Sequence, residues 1–567
     1  MWNPKINYTW VTGRHSLKTG YEFQDISTEV QDVNPLYGRD TYTGQFTRPA
    51  GIGSNNIYNL ADFMLGLRSQ YAISNILIAN LRQQMHFTYI QDDWRVNDTL
   101  TVNAGIRYEY ATPHWEENNI LSNYDPVAKK MIMASDGSLE DRALVNPDRN
   151  NFAPRLGFAW SLNPKTVVRG GWGISYIHFH RAGAANILSI NGPQVINAVV
   201  NQTPTTPGFR TTQQGYPSGL TDASQFDPKV ANITYMPSDY HSSDVQSYYA
   251  SVQREIASNM TLDVAYVGNR ANGVLLFANY NQATPNNAAG TIPLANRRPI
   301  PEFGDITYAF NGGKSRYNSL QVKYQYRMKQ GLMVLNSFTW SKAKDNGAGS
   351  LENPNGNFPS PQDFHNLEAD YGTSGYDEPL NNTLSFVYEL PFGRGQKWMK
   401  DANAVVDALA GGWTVSGIVV ARSGEAATLQ YTPAAAFQVS GINQDFRGAN
   451  NYRPNVIGDI YGDKNSVTTY LNKDNVVIPT DPSQPFGNAA RNTVRAPAFY
   501  QVDLVASKDF RLPLGSQTRM QFRLEAFNLL NRTNFRAPVT NRSASNFGTI
   551  NSTWDARQIQ LGLKLMF

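Results

Sequence analysis

The residues from Ile559 to Phe567 carry apolar side chains at every odd position, Ile559, Leu561, Leu563, Leu565 and Phe567, while Gln560, Gly562 and Lys564 occupy three of the four positions between. Side chains along a strand point alternately to opposite faces, so this stretch predicts a strand with one greasy face and one polar face. Such a stripe has two destinations. It covers the core of a soluble sheet, or it faces the hydrocarbon around a membrane barrel.

The same period of two recurs along the chain. Leu100, Val102, Ala104, Ile106, Tyr108 and Tyr110 alternate with Thr101, Asn103, Gly105, Arg107 and Glu109. Leu320, Val322, Tyr324 and Tyr326 alternate with Gln321, Lys323, Gln325 and Arg327; Tyr500, Val502 and Leu504 alternate with Gln501 and Asp503; Met520, Phe522, Leu524 and Ala526 alternate with Gln521, Arg523 and Glu525. The polar face therefore mixes charges with amides, as a wet bore requires, and the other face mixes aliphatic with aromatic residues. Arg107, Glu109, Lys323, Arg327, Asp503, Arg523 and Glu525 become candidates for lining a lumen. They have two readings: a charged wall that holds a plug and guides solute, or merely solvated positions, and the second is preferred for any one residue. Trp94, Trp172, Trp340, Tyr388 and Trp413 are candidates for interfacial aromatic girdles, with core packing as their alternative in a soluble fold.

Composition narrows the class. Aromatics reach 12% with 30 Tyr and 27 Phe, while charged residues are only 17%, and mean hydropathy is −0.44. No run of about 18 apolar residues exists, so no transmembrane helix is available. A membrane-embedded form of this chain must be a closed barrel, because open sheet edges cannot face lipid. A formal net charge of +4, spread along the chain, gives no footprint for nucleic acid. The absence of Cys removes disulfide scaffolds, thiol catalysis and Cys-ligated zinc. Met1-Trp2-Asn3-Pro4-Lys5 lacks the regions of a signal peptide and leads directly into a strand.

Strands are expected near 6–12, 17–28, 83–94, 100–110, 152–161, 166–178, 246–256, 260–268, 317–327, 332–340, 383–390, 413–422, 500–510, 518–528 and 556–567, about 15 in all with ends uncertain by a few residues. Their connections alternate. Tight turns carry Gly13-Arg14, Asn97-Asp98, Asn163-Pro164, Ser258-Asn259, Gln330-Gly331 and Pro513 to Gly515, whereas long polar connections fall near 29–82, 111–151, 179–245, 269–316, 341–382, 423–499 and 529–555. Small helices are expected at 401–409, within the short-side exception 391–412, and at 57–67. Short turns on one rim and long loops on the other is the layout of outer-membrane barrels. Counting back from a short-side Phe567 puts residue 1 on the long-loop side, so an odd number of strands is expected to precede it.

The stretch from Phe522 to Phe535, FRLEAFNLLNRTNF, resembles the penultimate-strand signature of TonB-dependent receptors of the Oar-like group. Gly487 to Asn492, with Pro497 and the strand Tyr500 to Phe510, resembles the strand before it. Tyr89-Ile90-Gln91-Asp92-Asp93-Trp94 followed by Asn97 to Glu109 resembles a hairpin of TonB-dependent barrels generally, and Phe567 resembles the terminal aromatic read by the barrel assembly machinery. The resemblance maps to the barrel alone. It implies an antiparallel transmembrane β-barrel of about 22 strands enclosing a plug, so residues 1–567 are expected to form an N-terminally truncated barrel domain of a longer protein, with about seven strands and the plug outside it. It further implies outer-membrane lipid as surroundings, coupling to the TonB–ExbB–ExbD complex through the missing N-terminal region, and an unidentified solute, carbohydrate or peptide being considered. No cofactor is implied.

Catalytic and metal motifs fail on context. Ser341-Lys342-Ala343-Lys344 has the serine-to-lysine spacing of penicillin-binding enzymes but sits at a strand end. Gly312-Gly313-Lys314-Ser315 lacks the earlier glycine of a phosphate loop, Tyr308 standing there, and reads as a loop turn. His178-Phe179-His180 places two imidazoles on one side of a strand without an acidic neighbour in sequence. Asp92-Asp93 lacks a third oxygen ligand for calcium and is expected to pair with lumenal Arg near the short-turn rim. The reading is a non-enzymatic transporter barrel of the bacterial outer membrane, binding solute at external loops and upper lumen. An adhesion or export barrel and a soluble secreted glycan-binding β protein are the alternatives.

Overall fold

The structure, a computed structural model, describes residues 1–31, 35, 37–49, 55–75, 77–178, 187–229, 231, 233–327, 331–347, 361–439, 452–512 and 518–567. Alternating apolar and polar residues build one 18-stranded sheet. Three of its members are short pieces contributed by loops, Trp115–Glu116, Ile233–Tyr235 and Gly372–Thr373. The other fifteen are the barrel strands: β1 Lys5–Thr12, β2 His15–Val30, β3 Ala79–Arg95, β4 Leu100–Ala111, β5 Phe152–Asn163, β6 Thr166–Ile177, β7 Ser243–Ala257, β8 Met260–Asn279, β9 Ile306–Arg327, β10 Leu332–Asp345, β11 Leu380–Glu389, β12 Trp413–Arg422, β13 Phe499–Arg511, β14 Arg519–Phe527 and β15 Gln558–Met566.

Each strand pairs antiparallel with the next in sequence, from β1 through β15. The result is a continuous meander whose short connections fall at one rim and whose long connections leave from the other, with residues 390–412 as the one long connection on the short-turn rim. Among the described residues the outer edges of β1 and β15 have no partner strand, so the sheet forms an open wall.

Register carries the greasy stripe from strand to strand. Leu561 stands opposite Leu524, which stands opposite Ala506; Ile90 stands opposite Ile106, which stands opposite Pro154. Directly paired residues point to the same face. The stripe is not covered: Leu561 is 68% and Leu563 71% exposed, and Leu156, Tyr266, Trp340 and Leu380 are exposed as well. A soluble sheet would bury this face. The apolar residues that are buried lie elsewhere, mainly in the long connections and the loop-side strand ends. Val30, Leu81, Leu121, Leu188, Met236 and Phe277 share one core, while Leu429, Tyr470, Leu471, Val476 and Phe547 share another.

Several strands outrun the sequence expectation on the loop side. β8 continues to Asn279 and β9 begins at Ile306. Here Leu276, Phe277, Ala278 and Ala309 are all buried, so both faces are covered by loop cores and the alternation that marks the membrane segment disappears. This corrects the reading of Gly312-Gly313-Lys314-Ser315, which is strand rather than loop turn. The expected small helices form at Asn56–Met64 and Ala404–Ala410, and a third forms at Leu139–Ala143, where Ser138 and Asp141 make a capping box.

Leu320 lies on the exposed face of β9 between Tyr266 and Trp340, and Gln321 lies on the opposite face. Leu320→Arg should destabilise the protein in lipid vesicles by about 2–4 kcal/mol, and Gln321→Arg should cost less than about 1 kcal/mol because that face is wet. Denaturant titration of the vesicle-inserted protein reads both values.

Candidate functional site

The polar face of the wall is ordered by register into small charge pairs. Arg107 Nε lies 2.9 Å from Glu109 Oε1, two residues along β4, and Arg523 Nη2 lies 2.6 Å from Glu525 Oε1 along β14. Asp503, on the neighbouring β13, accepts from Gln501 Nε2 at 2.9 Å and from the Asn528 backbone N–H at 2.8 Å. Lys323 stands opposite Asp263 and Ser337. Arg327 lies at the short-turn end of β9, its backbone N–H donating to Asn259 O at 3.0 Å. The structure thus joins two pairs of the seven candidates and leaves Lys323, Arg327 and Asp503 apart from them.

Glu109 proves to be more than a solvated position. It is buried, and His178 Nε2 lies 2.9 Å from its second oxygen while His178 Nδ1 lies 3.0 Å from Ser242 Oγ. The expectation that His178 lacks an acidic neighbour is corrected, because β4 and β6 are brought together through β5; both of its ring nitrogens are engaged. His180 lies outside the described residues. Among the described residues no group of three or more His, Asp or Glu is placed to hold a metal ion.

The acidic pair on β3 is likewise corrected. Adjacent strand residues face opposite ways, so Asp93 turns to the polar face and meets Lys18 Nζ at 2.6 Å, while Asp92 turns to the other face and meets His15 Nδ1 at 2.6 Å. Neither partner is an Arg. The same geometry disposes of Ser341 and Lys344, which three positions apart on β10 point to opposite faces, with Ser341 Oγ donating to Glu378 O at 2.8 Å.

Against β3 to β9 the polar face holds a concavity of ≈ 590 Å³, bordered by Gln91, Asn103, Arg155, Tyr249, Asn269 and Tyr317. Its floor is glycine. A Cβ on Gly171 would stand 2.6 Å from the Tyr249 ring, so glycine lets that ring lie flat against the wall. Arg155 and Lys18 were missed by motif reading. Their signal was the inward phase of their strands, Lys18 standing opposite Gln91 and Arg155 opposite Gly105.

Of the aromatic candidates, Trp94, Tyr388 and Trp413 lie at the short-turn ends of their strands, Trp172 in the middle of β6, and Trp340 opposite Leu380 at the loop side. All share the apolar face by register. Phe567 is 90% exposed.

Above the wall the long connections are tied to one another by buried charges. Arg453, Arg491 and Arg495 of the 423–498 connection reach Asp370, Asp345 and Asp377, the Arg491 Nη1 to Asp345 Oδ1 distance being 2.8 Å. Asn492 Nδ2 adds a bond to Thr373 O at 2.8 Å. Nearby, burial pushes the Tyr452 phenol up to about 12, and it stays neutral while accepting from the Val439 N–H. The signature after β14 has a local reason too. Asn528 and Asn531 adopt positive φ, and Asn528 and Asn534 bond backbone groups at Arg532 and Tyr500.

An antiparallel meander with its apolar face exposed, its charges on the other face and its cores above the rim defines a wall of a membrane β-barrel. The outer membrane beta barrel domain family matches residues 1–560, and the chain belongs to that family of the bacterial outer membrane. No curated protein matches the sequence. Among solved structures, the outer membrane transporter YddB from Escherichia coli aligns with a TM-score of 0.47 and 12% identity over 99% of this chain and 53% of its own. FpvA of P. aeruginosa aligns at 0.44 and 10% over 99% and 47%, and the FrpB iron transporter from Neisseria meningitidis at 0.43 and 12% over 98% and 53%. The chain spans about half the length of these proteins.

Removing the Arg491 guanidinium leaves the buried Asp345 carboxylate without its cation. Arg491→Ala should weaken the tie by about 3 kcal/mol, read by hydrogen exchange as roughly hundredfold faster opening of segments 361–379 and 452–498 with the β1–β15 wall unchanged.

Proposed function

We propose that this chain is the barrel portion of a TonB-dependent outer-membrane transporter, which binds a solute at its long loops and upper lumen and passes it inward when a plug is displaced. One observation carries the reading: among the described residues fifteen strands make a continuous wall whose outer edges, on β1 and β15, have no partner strand. Open edges cannot face lipid, so further strands complete the ring. A ring larger than fifteen strands encloses a lumen wide enough to leak unless plugged, and barrels of about 22 strands hold a plug.

The wet inner face supports the same reading. Its paired charges, Arg107 with Glu109 and Arg523 with Glu525, together with Lys323, Arg327 and Asp503, suit a surface that meets a polar plug and polar solute. The glycine-floored concavity beside Arg155 and Tyr249 offers stacking and hydrogen bonding to a carbohydrate or peptide. Energy comes from the inner-membrane TonB–ExbB–ExbD complex acting on a plug outside this chain. Phe567, free at the end of β15, suits recognition by the assembly machinery.

The test is uptake by cells carrying the native gene, offered a mixed pool of oligosaccharides and short peptides and read by mass spectrometry of the periplasm. At least one component should fall to the level of the gene-deletion strain when residues 431–485 are replaced by a short linker, and also when a protonophore collapses the inner-membrane potential. Unchanged accumulation together with lost cell adhesion would replace the transporter with an adhesin.

A further inference from the structure

The turn-side rim carries one connection that the barrel layout does not need, residues 390–412 between β11 and β12. Its helix Ala404–Ala410 starts on Asn403, whose side chain accepts from the Val406 N–H at 2.9 Å, and ends at Gly411. Asp407 ties the preceding segment down by accepting from the Arg394 N–H at 2.6 Å.

This element is fastened to the lipid-facing side of the wall. Trp413 stands opposite Lys508, Lys508 opposite Phe522, and Phe522 opposite the exposed Leu563, so all four share the apolar face. A lysine on that face is costly unless its charge is met. Lys508 is buried, and its Nζ donates to Asp407 O at 2.9 Å and to Gly411 O, capping the helix end. Trp413 Nε1 donates to Leu409 O at 2.8 Å, and its ring packs edge-on against Phe522. The greasy wall therefore continues into the helix.

What the helix presents beyond that seam is apolar. Val405 is 68% and Leu409 72% exposed, one turn apart, and Trp398, Met399 and Phe392 are exposed beside them. Within residues 390–412 exposed Arg394, Lys397 and Lys400 stand against one exposed carboxylate, Asp401, with exposed Glu389 just before the segment, and Lys397 Nζ lies 5.6 Å from the Trp398 ring. We propose that residues 390–412 form an interfacial foot that lies in the periplasmic leaflet of the outer membrane, with Val405, Leu409 and Trp398 among the acyl chains and Lys397 and Lys400 at the phosphates of anionic phospholipid. Continuity with the lipid-facing band selects lipid as the occupant. The cations outside an apolar patch are the charge pattern that an anionic headgroup layer attracts.

These 567 residues contain no cysteine, so a single introduced thiol reports from one place, any cysteine elsewhere in the native protein being replaced by serine first. Leu409→Cys in the full-length protein is labelled with an environment-sensitive dye and placed in phosphatidylethanolamine–phosphatidylglycerol vesicles. Leu563→Cys serves as the lipid-facing reference and Val127→Cys, exposed on a loop, as the aqueous one. The Leu409 label should emit at the blue-shifted position of the Leu563 label, lose most of its emission to lipid-borne bromine and resist iodide. Lys397→Glu with Lys400→Glu should shift it toward the Val127 signal. A Leu409 label quenched by iodide and not by brominated lipid, with the Leu563 label still lipid-quenched, overturns the foot while leaving the barrel intact; a soluble partner would give that same result. An insensitive Lys397→Glu, Lys400→Glu pair overturns the headgroup half.

Discussion

Every backbone N–H and C=O inside a bilayer has to find its partner within the protein, because hydrocarbon offers none. The fourteen ladders joining β1 to β15 meet that demand at every strand edge between them, leaving only the outer edges of β1 and β15 without a partner among the described residues, and the rest of the structure is arranged around it. With the ladders satisfied, side chains are free to sort by face. The outer face keeps Leu, Ile, Tyr and Trp in the open, and the inner face keeps the Arg–Glu and Lys–Asp pairs. Hydrophobic burial, which organises a soluble protein, is moved to the loops. There it builds several small cores above the rim, cross-tied by arginine.

This division explains why single charges behave differently by location. Arg523 sits nearly half in water and Glu525 keeps partial contact with it, and a solvent-screened pair contributes little. Asp345, Asp370 and Asp377 are nearly devoid of solvent, and each is met by a guanidinium from the 423–498 connection. A buried pair is weak evidence for stability but strong evidence for a fixed arrangement, since losing one partner strands the other. The described parts of the 346–379 and 423–498 connections are thereby held to one another and to the end of β10.

The strands were readable because one period of two, repeated in register, suffices to assign both element and face. Leu320 and Gln321, or Leu524 and Arg523, are sorted by parity alone. Parity also put Arg107 and Glu109 on one face, where the structure pairs them. It could not find His178 on Glu109, which needs the register of β4 against β5 and β5 against β6. It misassigned the partner of Asp93, since Lys18 lies 75 positions away. Where the strands rise into the loop cores, as at Leu276 to Ala278, burial on both sides erased the alternation and the elements looked like loop. The Arg491 clamp on Asp345 spans 146 positions and leaves no local trace, although the stretch containing it carries part of the family resemblance.

The most direct measurement is a spin-label scan of β9 from residue 318 to 326 in lipid vesicles, one single-cysteine variant at a time. Labels at 320, 322 and 324 should relax with dissolved oxygen and labels at 319, 321 and 323 with a water-soluble nickel complex, alternating along the strand. Protection of the 320, 322 and 324 labels from both reagents would mean that the apolar face is packed against protein, and would contradict the membrane wall.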